Sequence, residues 1–209
     1  MFDDWLRHLK DRWLTPLALL LGPRISPNAV TIAAALVGLF CAYLASRGAM
    51  MPAFVAWVVN RLLDAIDGLQ ARVHGRQSDF GGYLDIMLDH VVYAAIPISL
   101  LVSHPTPTLG LITAVLLGSY FVNTASWMYL AAILERIGAG ARARGELTTI
   151  TMPPGIVAGA ETIVFFSLFF LLPQYLDQLF SAMALLVAAN VVQRLVWAHR
   201  ALPVLPIPE

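Results

Sequence analysis

The chain has 209 residues, of which 59% are hydrophobic and 12% charged, and its mean hydropathy is +0.74. Soluble domains carry about 25% charged residues, so a water-soluble globular domain is excluded. Lys plus Arg and Asp plus Glu both number 13, giving zero formal net charge; no bulk attraction to nucleic acid follows, and charge placement matters more than the sum.

Residues 1–22 come first. Phe2, Trp5, Leu6, Leu9, Trp13 and Leu17 recur at helical spacing, with Asp3, Asp4, Arg7, Lys10 and Asp11 on the other side. This pattern predicts an interfacial amphipathic helix lying on the membrane, with a lid over a site as the alternative. A cleaved signal is not expected, because its apolar core would be longer and Asp3 and Asp4 argue against one. Six apolar runs follow, each near the roughly 20 residues a bilayer needs. They lie at about Pro27 to Ala45, Pro52 to Arg72, Phe80 to Val102, Leu109 to Glu135, Gly155 to Leu172 and Leu179 to Trp197. Pro27, Pro52 and Pro154 sit near starts, where a missing amide donor matters least, and turn-rich breaks such as Ser103-His104-Pro105-Thr106-Pro107 separate the runs. Cys41, the one cysteine, falls inside the first run, so an intrachain disulfide is impossible and a small buried side chain is expected. The expected fold is all-α: a single polytopic membrane domain over residues 1–209, with a six-helix core at 27–197. No repeat or soluble domain is apparent.

Basic residues set the expected orientation. Arg7, Lys10, Arg12 and Arg24 precede the first run, Arg72 and Arg76 lie between the second and third, Arg136, Arg142 and Arg144 between the fourth and fifth, and Arg194 and Arg200 near the end; the alternate loops hold only Arg47. By the positive-inside rule both termini face the cytoplasm, in the inner or plasma membrane if the protein is bacterial.

One window breaks the apolar character: Asp64-x2-Asp67-Gly68-x2-Ala71-Arg72-x8-Gly81-x3-Asp85-x3-Asp89. Each ionised group near a bilayer costs several kcal/mol unless a cation or partner neutralises it. Asp64 and Asp67 are three residues apart and Asp85 and Asp89 four, so each pair projects from one helix face. Two such helices facing each other would converge four carboxylates. Mg2+ commonly takes one or two carboxylates with waters and substrate phosphates, so four can serve two ions in a phosphoryl-transfer site. Gly68 would let another backbone or a flat ligand come close, and Arg72 could reach a phosphate or snorkel to headgroups. The window lies toward the cytoplasmic face, open to a soluble substrate and, sideways, to a lipid.

This string resembles the signature of the CDP-alcohol phosphatidyltransferases, integral membrane enzymes that use CDP-diacylglycerol to make phospholipids. The resemblance implies that Asp64, Asp67 and Asp85 bind metal and that Asp89 is the general base and also touches a metal. It implies two Mg2+ or Mn2+ ions, with Gly68, Arg72, Ser78 and Gly81 near the CDP group. Pro27, Asn28, Ala29 and Val30 resemble the Pro-Asn segment that borders the nucleotide. CDP-diacylglycerol and a small polar alcohol are then the expected partners, with CMP released and no nucleic acid bound. A homodimer is implied as well.

Weaker candidates surround the motif. Asn60, one turn before Asp64, is read as orienting that carboxylate or as a helix-helix contact. Arg61 lies on another face, available to an acidic group or a headgroup. A phosphorylated acceptor would need basic residues, for which Arg136, Arg142, Arg144 and Arg194 are candidates, although the positive-inside rule expects the same residues. In the inositol-phosphate and glycerol-phosphate branches a lysine or arginine usually follows the last motif aspartate; here His90 stands there. Glu161, a few residues into a run, lines the acceptor cavity or pairs with an arginine. Two other functions stay in view: a cation or proton transporter using the intramembrane carboxylates, and a non-catalytic lipid-binding relative.

Overall fold

The computed structural model describes residues 25–144 and 159–202, together with Thr15, Pro16, Leu19, Leu20, Gly22 and Gly155. Most of the expected interfacial segment, and Arg24, lie outside the described residues. All regular structure among the described residues is helical: α1 (Pro27–Ser46), α2 (Met50–Val73), α3 (Asp79–Ser103), α4 (Pro107–Arg136), α5 (Gly159–Leu171) and α6 (Leu176–Ala201). A single turn at Ala141–Arg144 and a 3-10 turn at Pro173–Tyr175 complete it. Each helix begins and ends within a few residues of the hydropathy expectation.

Local chemistry accounts for these boundaries. Ser26, Ser78 and Thr106 each cap a helix, their side-chain oxygens accepting from the backbone N–H three residues on, which satisfies an otherwise orphaned amide. Pro27 and Pro107 occupy first helical positions. Gly75, with φ +60°, ends α2 in a left-handed conformation and lets the Arg76 amide reach back to the Ala71 carbonyl at 2.8 Å.

Among the described residues, four stretches are long and apolar enough to cross a membrane: α1, α3, α4 and Pro173–Ala201, which contains α6. Six long helical elements are present, and two of them fall short of that measure among the described residues. Although 24 residues long, α2 carries Arg61, Asp64, Asp67 and Arg72, which lower its hydropathy; α5 is apolar, with 13 residues described. The surface is that of a protein in lipid, since Phe121 is 75% exposed and Leu185 72%; water would penalise such a patchwork.

The bundle has two closely packed parts, α1 with α2 and α3, and α4 with α6. Small residues permit the first: Ala34, Ala35, Gly38, Ala42 and Ala45 of α1 are buried facing α2 and α3, letting backbones approach. Cys41 is fully buried, its thiol donating to the Ala53 carbonyl at 3.2 Å, as its setting implied. A Cβ on Gly38 would stand 2.6 Å from Val92 and 3.0 Å from Asn60. Beneath this contact lies an aromatic stack in which Trp57 meets Phe166 at 5.0 Å between centroids, and Phe166, Phe169 and Phe180 continue it.

Candidate active site

The C-terminal half of α2 and the N-terminal half of α3 both pack against α1, and their side chains meet across its start. One carboxylate oxygen from each of Asp64, Asp85 and Asp89 falls within 4.8 Å of the others. They line, with Thr31 and Asn60, a pocket of about 10 Å³, roughly the space one water or small ion needs. Three like charges so close repel strongly unless a cation stands among them.

Of the four carboxylates expected to converge, these three meet within that distance. Asp67 stands outside the triplet; it is 5% exposed, neighbours Thr31 of α1, and its Oδ2 is buried with no hydrogen-bond partner. Helix geometry supplies the reason. Residues four apart are offset by about 40° around a helix and residues three apart by about 60° in the other sense. Asp85 and Asp89 thus share a face, while Asp67 is rotated from Asp64 toward α1. A buried carboxylate oxygen without a donor, beside a triplet of hard oxygen ligands, suits divalent cations rather than thiophilic metals.

Arg61 is the residue whose place the sequence left open. Its guanidinium reaches across to α3 and contacts Asp89 through both oxygens, at 2.8 and 3.4 Å, and lies 3.7 Å from Asp64. It also donates to Asn60 Oδ1 at 2.8 Å and to the Tyr93 hydroxyl at 2.9 Å. The rings of Trp57 and Tyr93 lie 4.8 and 5.3 Å from its central carbon. Asn60 donates in turn to the Ala34 carbonyl of α1 at 2.7 Å, so it orients Arg61 rather than Asp64. The only sequence signal was a charged residue one turn before an aspartate inside a run.

The residues expected beside a nucleotide gather at the same end. A Cβ on Gly81 would sit 3.1 Å from Asn28 Oδ1 and 3.1 Å from Ser78 Oγ, so the starts of α1 and α3 meet there. Ser78 caps α3, accepting from the Gly81 amide at 3.0 Å. Pro27, Asn28 and Ala29 form the first turn of α1 and Val30 is buried. For Gly68, of the two expected neighbours, another backbone or a flat ligand, no backbone is found among the described residues: a Cβ there would meet only Arg72 Nη1, at an ordinary 3.4 Å. Gln70, fully buried, donates to the Ile25 carbonyl at 2.7 Å and fixes the approach to α1.

Behind Asp89 a cavity of about 430 Å³ opens between α3, α4, α5 and α6, walled mainly by apolar and aromatic groups with Tyr120, Asn123, Thr124 and Asn190 among them. His90 lines it but is engaged on both nitrogens, with the Ile86 carbonyl at 2.7 Å and the Thr124 hydroxyl at 2.8 Å, and so ties α3 to α4. Arg194, 5% exposed, donates to Asn123 Oδ1 at 3.1 Å and Ser126 Oγ at 3.3 Å, and its Nε has no partner. Arg136 and Glu161 are exposed, in the last turn of α4 and the first turn of α5. The side chains of Arg142 and Arg144 lie outside the described residues.

Comparison with known proteins adds independent findings. The model of the family described as CDP-alcohol phosphatidyltransferase matches residues 24–196. The Escherichia coli inner membrane protein YnjF is 29% identical over 153 residues, 73% of each chain. The archaetidylinositol phosphate synthase of Aeropyrum pernix is 32% identical over 166 residues, covering 74% of this chain and 79% of the relative. In fold the chain is similar to Mycobacterium tuberculosis phosphatidylinositol phosphate synthase (PgsA1). Its structure with CDP-DAG bound aligns at a TM-score of 0.68 and 22% identity, over 88% of this chain and 92% of that one. The same enzyme with manganese and citrate aligns at 0.67 and 22%, over 88% of each.

Proposed function

The chain belongs to the CDP-alcohol phosphatidyltransferase family, and on that premise we propose that it moves the phosphatidyl group of CDP-diacylglycerol to the hydroxyl of a small polar alcohol, releasing CMP. The observation that carries this reading is the meeting of Asp64, Asp85 and Asp89 oxygens within 4.8 Å. Those three carboxylates would hold one divalent cation, Mg2+ or Mn2+, and the unpartnered Oδ2 of Asp67 would help hold a second. Bound there, such ions neutralise the pyrophosphate charge and make CMP a better leaving group. Asn28, Gly81, Ser78, Gly68 and Arg72 would seat the CDP moiety, with Arg72 donating to phosphate oxygens.

In the transfer step the acceptor oxygen attacks the lipid-side phosphorus, the bond from that phosphorus to the CMP oxygen breaks, and Asp89 takes the hydroxyl proton. A carboxylate is a weak base for an alcohol, and an ion-paired one weaker still, so positioning supplies much of the rate.

The acceptor we infer is anionic. Arg194 is buried, its contacts on Asn123 and Ser126 are to uncharged groups, and its Nε lacks a partner; a phosphate would answer that buried charge. The inositol-phosphate chemistry in the relatives' names points the same way. In the membrane, the proposal has six crossings, a cytoplasmic site and termini, and a homodimer by family resemblance. The test is a metal-supplemented assay of labelled CDP-diacylglycerol against inositol phosphate, glycerol phosphate, serine, inositol and choline. A phosphorylated acceptor should give product and CMP; no CMP with any acceptor would leave transport or lipid binding as the function.

A further inference from the structure

We propose that Arg61 is a positioning residue for transfer, holding the carboxylate of Asp89 in the orientation in which it meets Asp64 and Asp85. This rests on reading those aspartates as the metal and transfer site. An aspartate projecting from a helix can turn about two side-chain bonds, and only one of its orientations brings an oxygen to the triplet. Arg61 removes that freedom by engaging both Asp89 oxygens, at 2.8 and 3.4 Å. The same guanidinium stands 3.7 Å from Asp64, so it bridges two members of the triplet and sets the spacing between a carboxylate of α2 and one of α3.

The guanidinium is itself fixed from several sides. Asn60 takes its Nε–H, Tyr93 accepts from Nη1, and the Trp57 and Tyr93 rings lie against it. Asn60 is anchored to α1 through the Ala34 carbonyl, and Trp57 to α5 through Phe166. Four helices therefore converge on one side chain that is 8% exposed. An ion pair serving stability alone needs one partner; this one faces two acids of the reacting cluster and keeps a fixed positive charge beside them. Lysine could not reproduce it, because an ammonium cannot present two parallel donors to a carboxylate while also meeting Asn60 and Tyr93.

The experiment compares wild type, Arg61→Lys, Arg61→Met and Tyr93→Phe as purified full-length protein in detergent or lipid nanodiscs. It reads kcat and KM for CDP-diacylglycerol, the electron paramagnetic resonance spectrum of bound Mn2+, and thermal unfolding. Misplacement of a reacting group by about 1 Å costs about 100-fold in rate. Arg61→Lys should lose about 10- to 100-fold in kcat with KM within about twofold, and Arg61→Met should lose more. Tyr93→Phe keeps the contacts of Arg61 with Asp89 but removes a hydroxyl that accepts from Arg61 and is hydrogen-bonded to Asp89, and should lose about two- to fivefold. The bound-Mn2+ spectrum should change in both Arg61 variants. Wild-type kcat with an unchanged spectrum, or a loss that merely follows the folded fraction, overturns the proposal. If Arg61→Met does not fold, Arg61→Lys and Tyr93→Phe still decide. If wild-type protein releases no CMP, the transfer reading fails. A changed Mn2+ spectrum in Arg61→Lys then still supports Arg61 as a positioner of the metal site, and an unchanged one overturns both.

Discussion

Asn28 and Gly81 meet across the starts of α1 and α3: a Cβ on Gly81 would stand 3.1 Å from the Asn28 side-chain oxygen. That distance is tighter than ordinary van der Waals contact, so Gly81→Ala should push Asn28 and Ser78 aside without unfolding either helix. CDP-lipid affinity, measured by equilibrium binding, is expected to fall several-fold with little change in thermal stability. Gly68→Ala makes the complementary case. Its added methyl meets only Arg72 at 3.4 Å, so stability should hold while CDP-lipid binding weakens. Unchanged binding in both variants would remove these glycines from the nucleotide site.

Gly38→Ala tests the packing that supports the site from behind. The new methyl would collide with both Val92 methyls, at 2.6 and 2.8 Å, and crowd Asn60 at 3.0 Å. Overpacking of this kind costs about 1–3 kcal/mol. Thermal unfolding should show that loss, and activity should fall further than the folded fraction because Asn60 carries Arg61.

Asp89→Asn keeps shape but removes the proton acceptor. Transfer is expected to fall by about 1,000-fold or more, while CDP-lipid binding stays largely intact. Joint loss of transfer and binding would make Asp89 chiefly a metal ligand.

Arg194→Gln tests the acceptor side. Losing a charged hydrogen bond costs about 1.5–3 kcal/mol, so KM for a phosphorylated acceptor should rise about 10- to 100-fold, with KM for CDP-diacylglycerol unchanged. Equal KM for the acceptor in both proteins would take Arg194 out of that pocket.

Much of this architecture was legible in the sequence because lipid imposes simple terms. Helix ends followed from apolar run length and from Pro27 near a start; the caps at Ser26, Ser78 and Thr106 and the helical place of Pro107 emerged only from the structure. The aspartate cluster followed from spacing, since four-residue separation kept Asp85 and Asp89 on one face. Spacing alone did not place Asp67, because the offset of a three-residue step turns it toward α1, whose position the sequence does not give. Pairing with an acidic group was open to Arg61 in the sequence, but which one was not: three flexible methylenes let its head reach another helix, and the cage of Asn60, Trp57 and Tyr93 that fixes it comes from tertiary packing. Asn60 makes the helix-helix contact that was one of its two readings; its grip on Arg61 was not legible for the same reason. Arg194 was one of four basic candidates for the acceptor side, and its burial against Asn123 is what sets it apart.

The central claim is that the Asp64, Asp85 and Asp89 oxygens hold a divalent cation on which phosphatidyl transfer depends. Its most direct test measures Mn2+ binding and CMP release in parallel, on wild-type protein and on Asp85→Asn, with and without chelator. The account predicts that wild type binds Mn2+ and releases CMP only when metal is present, and that Asp85→Asn loses both together. CMP release that survives chelation, or Asp85→Asn that binds metal and turns over like wild type, would contradict it.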